Sequence, residues 1–320
     1  MASTSAAIPM KTKTEAFQVG DTAARLGTQA FAGAIILITL LVLYSLITGS
    51  WPAFMQFGFS FLSSSAWDPV AEKYGALPFI YGTLVTSFLA LLIAVPLGVG
   101  AAIYLAELAP ARLSSSLTFL VELLAAVPSV IYGLLAIFVL VPAMRDYVEP
   151  ALQKTLGQLP VIGGLFGGQI YGVGFLTASI VLAIMTFPYI ISISREALLD
   201  VPVDQRKAAL ALGATRWEST FQIVLPNAKL GIVGAVFLGL ARALGETMAV
   251  TMVIGNDPSV TASLFASGYT IPAVIANEFP EASGLQQNTL LALALVLFAI
   301  TILLNGGARL FLHATRQRGV

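Results

Sequence analysis

Six long apolar runs dominate the chain, separated by shorter polar stretches. They lie at about 31–48, 79–105, 117–141, 170–193, 230–254 and 289–312. A helix needs about 20 apolar residues to cross a hydrocarbon core of about 30 Å, and each run approaches or exceeds that length. The runs are apolar over most of their circumference, which marks helices immersed in lipid or protein. Pro96, Pro128 and Pro188 fall inside the second, third and fourth runs. In a membrane bundle, neighbours satisfy the backbone groups a proline frees, so these read as kinks, not breaks. About thirty mostly polar residues precede the first run, which reads as an uncleaved anchor, not a signal peptide. The predicted fold class is all-α: a polytopic membrane protein with a tail over 1–30, a six-span domain over 31–312 and a second tail over 313–320.

Charge sets the orientation. Lys11, Lys13, Arg25, Arg112, Arg195, Arg206, Lys207, Arg216, Lys229, Arg309, Arg316 and Arg318 flank one side of the spans, whereas Lys73, Arg145 and Lys154 flank the other. The bias places both termini in the cytoplasm, as an even number of spans requires. Three outer connections follow, at about 49–78, 142–169 and 255–288. The middle one is glycine-rich but lacks a Gly-Lys-Ser/Thr phosphate loop, and reads as a flexible or re-entrant connection.

Composition narrows the function classes. Of 320 residues, 58% are hydrophobic and 10% charged, against about 25% charged in a soluble domain. Sixteen basic residues balance sixteen acidic ones, so bulk charge favours no nucleic-acid partner. With no cysteine and a single histidine, His313, the chain holds neither a thiolate site nor a multi-histidine metal cluster.

The connection over 195–229 is too long for a simple turn. Asp204–Leu212 reads as a helix that Gly213 ends in a left-handed cap. Thr215 and Glu218 have capping-box spacing, and Trp217, Phe221, Val224 and Leu225 recur at helical spacing. Pro226 is expected to stop this second helix. The pattern fits two readings: a surface helix lying in the headgroups, or a helix that docks into a groove on a soluble partner.

Charge within the apolar runs is costly, about 2.5–3.5 kcal/mol for an arginine at a helix centre. Arg242 lies about twelve residues into the fifth run, and Glu246 follows at i+4, predicting one shared helical face. The pair either neutralises itself or lines a permeation path. Desolvation of a buried pair and the unfavourable Arg-before-Glu order weaken the first alternative. A guanidinium in a path suits an oxyanion. Glu122, near the cytoplasmic end of the third run, is a further pathway candidate, with Ser114, Ser115 and Ser116 placed to cap that run. Gly231, Gly234, Gly239, Ala241 and Gly245 predict close packing of the fifth run.

Lys207-Ala208-Ala209, Gly213 and Ile223-Val224-Leu225-Pro226 together resemble the EAA loop of ABC importer permeases, which carries the motion of an ATPase subunit to the spans. Lys207 stands where that motif has Glu, so no salt bridge of that Glu carries over. Trp67-Asp68-Pro69, the 75–83 stretch, the 122–129 stretch and Arg242-Ala243-Leu244-Gly245-Glu246-Thr247 extend the likeness to the PstC-type permease family of phosphate ABC importers. The resemblance implies a type I importer permease fold in a bacterial inner (plasma) membrane, surrounded by lipid. It implies inorganic phosphate as cargo, Arg242, Glu246 and Glu122 along its route, and an ATPase seated on Lys207, Ala208, Ala209, Gly213, Ile223, Leu225 and Pro226. The implied partners are a PstA-type permease, two ATPase subunits that bind ATP and Mg, and an extracytoplasmic phosphate-binding protein. This chain holds no cofactor of its own and is not itself an enzyme. An ATP-independent anion carrier or channel, an importer of another oxyanion such as sulfate, and a membrane scaffold are the competing readings.

Overall fold

A computed structural model describes residues 12–317, with side chains over 24–310. The first eleven residues of the expected N-terminal tail, with Lys11, and the last three residues, with Arg318, lie outside the described range.

Six helices are long and apolar enough to span a membrane. The first, α1, covers Ala24–Phe57 within a continuous helix from Thr12, so much of the expected tail is helical. It belongs to one compact unit up to Gly49 and to a second from Ser50 onward. In the second unit, a hairpin of β1 (Trp67–Asp68) and β2 (Lys73–Tyr74) precedes α2 (Leu77–Leu108). Next come α3 (Ala111–Ala125), α4 (Ser129–Gln158), α5 (Phe175–Leu199) and α6 (Val203–Ala211). The chain closes with α7 (Arg216–Leu244), α8 (Met248–Val253), α9 (Ile271–Glu278) and α10 (Gly284–Gln317).

The third run departs from expectation. Pro96 and Pro188 are carried inside continuous helices, but the chain leaves helical geometry before Pro128. Proline lacks an N–H and disfavours the α region in the residue before it, so α3 and α4 are separate. The spanning helix starts at Ser129 and continues to Gln158, through the first half of the expected outer loop. The serine triplet does not cap it. α3 begins at Ala111, and the Ser114 hydroxyl donates to the Leu105 carbonyl at 2.7 Å, bolting α3 to the end of α2.

Three apolar clusters lie along the second unit, and α2 contributes to each of them. The central one joins Ala90 and Ala94 of α2, Val181, Leu182 and Ile190 of α5, Ala243 of α7 and Val250 of α8. A second, on the outer side, gathers Phe61, Tyr74, Phe79, Tyr269, Val274 and Leu293. A third joins Ile103, Leu198, Val201, Val224 and Ile232 at the face the Lys/Arg bias assigns to the cytoplasm. α5 is the axial helix: 61% of its apolar window is buried. Gly231 lets α7 approach it so closely that a side-chain carbon there would strike Ala197, whereas Gly234 faces open space. The expected tight packing of α7 thus holds on one of its faces.

The glycine-rich connection is pinned to the 253–268 stretch, from the end of α8 into the following loop. Backbone amides of Gly174, Phe175 and Leu176 donate to the Val253, Ala266 and Leu264 carbonyls, and the Ser263 hydroxyl donates to the Gly167 carbonyl. On the same side, Glu278 accepts from Trp67 Nε1 at 3.2 Å and Gln286 Nε2 at 3.1 Å, tying the hairpin to α9 and α10.

Burial pushes the Glu278 carboxyl above its ordinary pKa, against the opposing pull of the Gln286 and Trp67 hydrogen bonds. Its protonation is therefore easier in the folded chain than in the unfolded one. The associated stability is full below the unfolded pKa and is lost as pH rises through the raised folded value. Melting curves across mildly acidic to neutral pH are expected to show higher stability on the acid side, and Glu278→Gln to flatten that slope. A slope unchanged in the variant would assign it to another group.

Candidate functional site

Two interruptions of helical geometry meet one charged side chain. The first is the gap between α3 and α4. Here the Tyr132 hydroxyl donates to the Leu124 carbonyl at 2.8 Å, and the Tyr189 hydroxyl to the Ala125 carbonyl at 3.4 Å. These carbonyls belong to the last turn of α3, where intrahelical donors run out. The second interruption is Gly245–Thr247, between α7 and α8. Arg242 occupies the last turn of α7, and its guanidinium carbon sits 4.4 Å from the centroid of the Tyr189 ring. Its Nε is buried without a hydrogen-bond partner.

Arg242 and Glu246 therefore do not share a helical face. The helix ends between them, and among the described residues no ion pair joins them. Glu246 turns to the next element, where Oε1 accepts from the Ala249 amide at 3.4 Å at the start of α8. Nor is Glu122 part of this cluster. It sits on α3 and lines a separate cavity with Arg195, Thr118 and Ser115. Among the described residues no group of three His, Cys, Asp or Glu side chains is placed to hold a metal ion.

The 195–229 connection takes a helix–turn–helix form. Gly213 adopts φ +92°, a region costly for other residues, and the Ala214 amide closes onto the Ala209 carbonyl at 3.1 Å. The capping box forms: the Thr215 hydroxyl accepts from the Glu218 amide at 3.2 Å, and the Thr215 amide donates to Glu218 Oε2 at 2.7 Å. Lys207 and Ala208 are exposed on α6, and Ala209 is half-buried.

Pro226, however, does not stop the second helix. Thr220–Val224 widens into a π turn, which accommodates the proline that follows, and the helix continues unbroken to Leu244. The expected apolar stripe consequently divides. Val224 is buried in the cytoplasmic cluster, and Ile223 and Leu225 are half-buried. Trp217 and Phe221 stay exposed with ring centroids 4.2 Å apart, on a connection that also exposes Leu210 and Leu212.

The strongest tie of α6 to the bundle is a residue the sequence reading used only as a charge. Arg206 Nη2 donates to Glu107 Oε1 at 2.9 Å and to the Leu198 carbonyl at 2.6 Å, and Nη1 donates to the Val201 carbonyl. Both side chains of the ion pair are largely buried, 16% and 10% exposed. One guanidinium thus clamps α6 to the cytoplasmic ends of α2 and α5. Asn227 of α7 adds a bond to Gln205 at 3.2 Å. Glu107, Tyr132 and Tyr189 were not legible as site residues; an acid at the end of an apolar run was the one available signal.

Fold and site define a multi-pass, six-helix membrane subunit, with a helix–turn–helix presented on the side the Lys/Arg bias assigns to the cytoplasm. Residues 94–317 match the model of the binding-protein-dependent transport system inner membrane component family. Over 291 residues, covering 91% of both chains, the sequence is 48% identical to the phosphate transport system permease protein PstC of Pasteurella multocida (strain Pm70). It is 50% identical over 284 residues to PstC of Mesorhizobium japonicum, covering 88% of this chain and 87% of that one. The chain belongs to this family of transport inner membrane components, in its PstC-type branch. Its fold is shared with the inward-facing MetNI methionine ABC transporter (TM-score 0.55, 18% identity, 74% of this chain and 94% of that one). The bacterial alginate ABC transporter shares it too (TM-score 0.57, 17% identity, 90% and 94%).

Breaking one partner of a buried ion pair costs about 3–5 kcal/mol when burial is complete, and somewhat less where, as here, part of each side chain still meets solvent. Arg206→Gln and Glu107→Gln should each lower unfolding stability by about 2–3 kcal/mol, with the double variant well short of the sum. Thermal unfolding of the four forms checks this double-mutant cycle; strict additivity would mean that the two side chains act independently.

Proposed function

We propose that this chain is one permease half of an ATP-driven importer that carries inorganic phosphate into the cytoplasm, with Arg242 as a charge that meets the anion in transit. The observation carrying this reading is a guanidinium in a membrane helix, perched on an aromatic ring at a junction of two backbone breaks, with no carboxylate counter-ion among the described residues. A cation–π contact is worth about 0.5–2 kcal/mol. That is enough to position Arg242 between arrivals, and weak enough to yield to a doubly hydrogen-bonded oxyanion. Glu246 is a nearby negative charge that limits how tightly the empty site holds an anion. The phosphate named for the PstC relatives supports the choice of cargo over sulfate.

ATP hydrolysis belongs to separate ATPase subunits in this reading. A pair of them serves the whole transporter, and one docks on exposed Leu210, Leu212, Trp217 and Phe221 around the Gly213 turn, in contact with Lys207 and Ala208. A PstA-type permease completes the pathway, and an extracytoplasmic phosphate-binding protein delivers cargo to the outer side. Because α7 is continuous, the docking residue Trp217 and Arg242 lie on one rod, 25 residues or about 38 Å apart. Motion at the turn moves α7 directly, while the Arg206 clamp carries it to α2 and α5. An ATP-independent carrier has no use for such an arrangement, which favours the ATP-coupled reading.

Arg242→Gln should abolish phosphate uptake while membrane insertion and assembly persist. Tyr189→Leu should reduce uptake strongly, and Tyr189→Phe, which keeps the ring, much less; wild-type uptake in Arg242→Gln would remove the pathway role. At Gly213 a branched side chain meets the left-handed penalty of about 1–2 kcal/mol. Gly213→Val should therefore uncouple ATP hydrolysis from uptake or release the ATPase, read by co-purification and by hydrolysis per phosphate moved. Normal values of both would refute the docking assignment.

A further inference from the structure

A second polar site, a cavity of about 600 Å³, lies on the cytoplasmic side between α3 and the ends of α2 and α5. Arg195, Thr118, Ser115 and Glu122 line it, with Leu105 and Phe119 among the apolar walls. Two of its donors are buried and unused: Arg195 Nε and Thr118 Oγ1 have no hydrogen-bond partner. The threonine is unusual for its setting. Thr83, Thr86, Thr186 and Thr251 each return their hydroxyl to the carbonyl four residues back, as helical threonines commonly do. Thr118 does not. Nor, among the described residues, does an ion pair join Arg195 to Glu122. Buried donors left open at a polar cavity call for an acceptor that the chain itself does not supply.

We propose that this cavity is a cytoplasm-facing station for orthophosphate on its way out of the transporter, with Arg195, Thr118 and Ser115 donating to its oxygens and Glu122 accepting from its P–OH. The inference rests on the phosphate reading above and extends it. Position supports an exit role. Arg195 follows Tyr189 by six residues on α5, about 9 Å nearer the cytoplasm, and both residues face α3. The mixed charge supports the cargo. A carboxylate beside a guanidinium is unfavourable for sulfate or a phosphodiester headgroup, which carry no proton at neutral pH. It suits an oxyanion that still bears one, since ionised Glu can only accept. The carboxylate also keeps occupancy brief, as a release station requires.

The cysteine-free sequence makes the test direct. The assembled transporter carrying Ser115→Cys, reconstituted in nanodiscs, is labelled by a thiol reagent with and without millimolar orthophosphate. Labelling should slow by about threefold or more with orthophosphate and change little with sulfate. Arg195→Gln should remove the protection, and Glu122→Gln should let sulfate protect as well. Ala111→Cys, on the same cavity wall, gives a second reporter if Ser115→Cys assembles poorly. The proposal is overturned if orthophosphate protects neither reporter, if protection survives Arg195→Gln, or if sulfate protects equally with Glu122 present. Slowing that follows the anionic lipid content of the disc and ignores orthophosphate would also overturn it, in favour of a headgroup. Arg242→Gln should leave protection intact while uptake is lost, so failure of the import reading and failure of this site are separable.

Discussion

Inside a bilayer, every backbone polar group must find its partner within the protein. The central architecture of this chain follows from how it meets that demand at one place. Pro128 breaks the third apolar run, so the carbonyls at the end of α3 lose their regular helical donors, although Leu124 still accepts from the Val127 amide at 3.2 Å. Two tyrosines from other segments answer, Tyr132 to Leu124 and Tyr189 to Ala125. The Tyr189 ring then supplies the face on which Arg242 rests. Repair of the backbone and placement of the charge are thus one construction.

In the proposed coupling, transmission through the subunit uses stiffness at one joint and a clamp at another. The π turn at Thr220–Val224 absorbs Pro226 without interrupting α7, leaving a single lever from the cytoplasmic turn to the last helical turn that holds Arg242. Beside it, Arg206 fixes α6 to α2 through Glu107 and to α5 through the Leu198 carbonyl, with the Val201 carbonyl as a third acceptor. The EAA-like motif lacks its usual Glu at Lys207, and here that side chain is exposed. The neighbouring position carries the electrostatic anchor instead. A planar, permanently charged fork with several donors suits this task, since it reaches a carboxylate and two carbonyls at once.

Much of this was legible from residue order alone. Six apolar runs fixed the number of spanning helices, because crossing hydrocarbon imposes a length that composition reveals directly. Gly213 and the Thr215–Glu218 box were equally readable, since caps are local interactions between residues a few positions apart. Residue order also identified Arg242 as costly to bury, and therefore as a residue needing a reason. The separation of Arg242 from Glu246 was beyond its reach. Periodicity assumes that a helix continues, and Gly245, a residue type that can end one, sits in an apolar run that continues past it to Ile254.

The prolines show the same limit from the other side. Whether a proline breaks a helix or is absorbed depends on which neighbours can take up the freed groups, so Pro96, Pro188 and Pro226 lie within helices while Pro128 marks a break. The clamp between Arg206 and Glu107, 99 positions apart, and the gathering of Arg195 with Thr118 and Glu122 exist only once α2, α3 and α5 are packed. Local chemistry was written along the chain; the partners of its charges were decided by helices meeting in three dimensions.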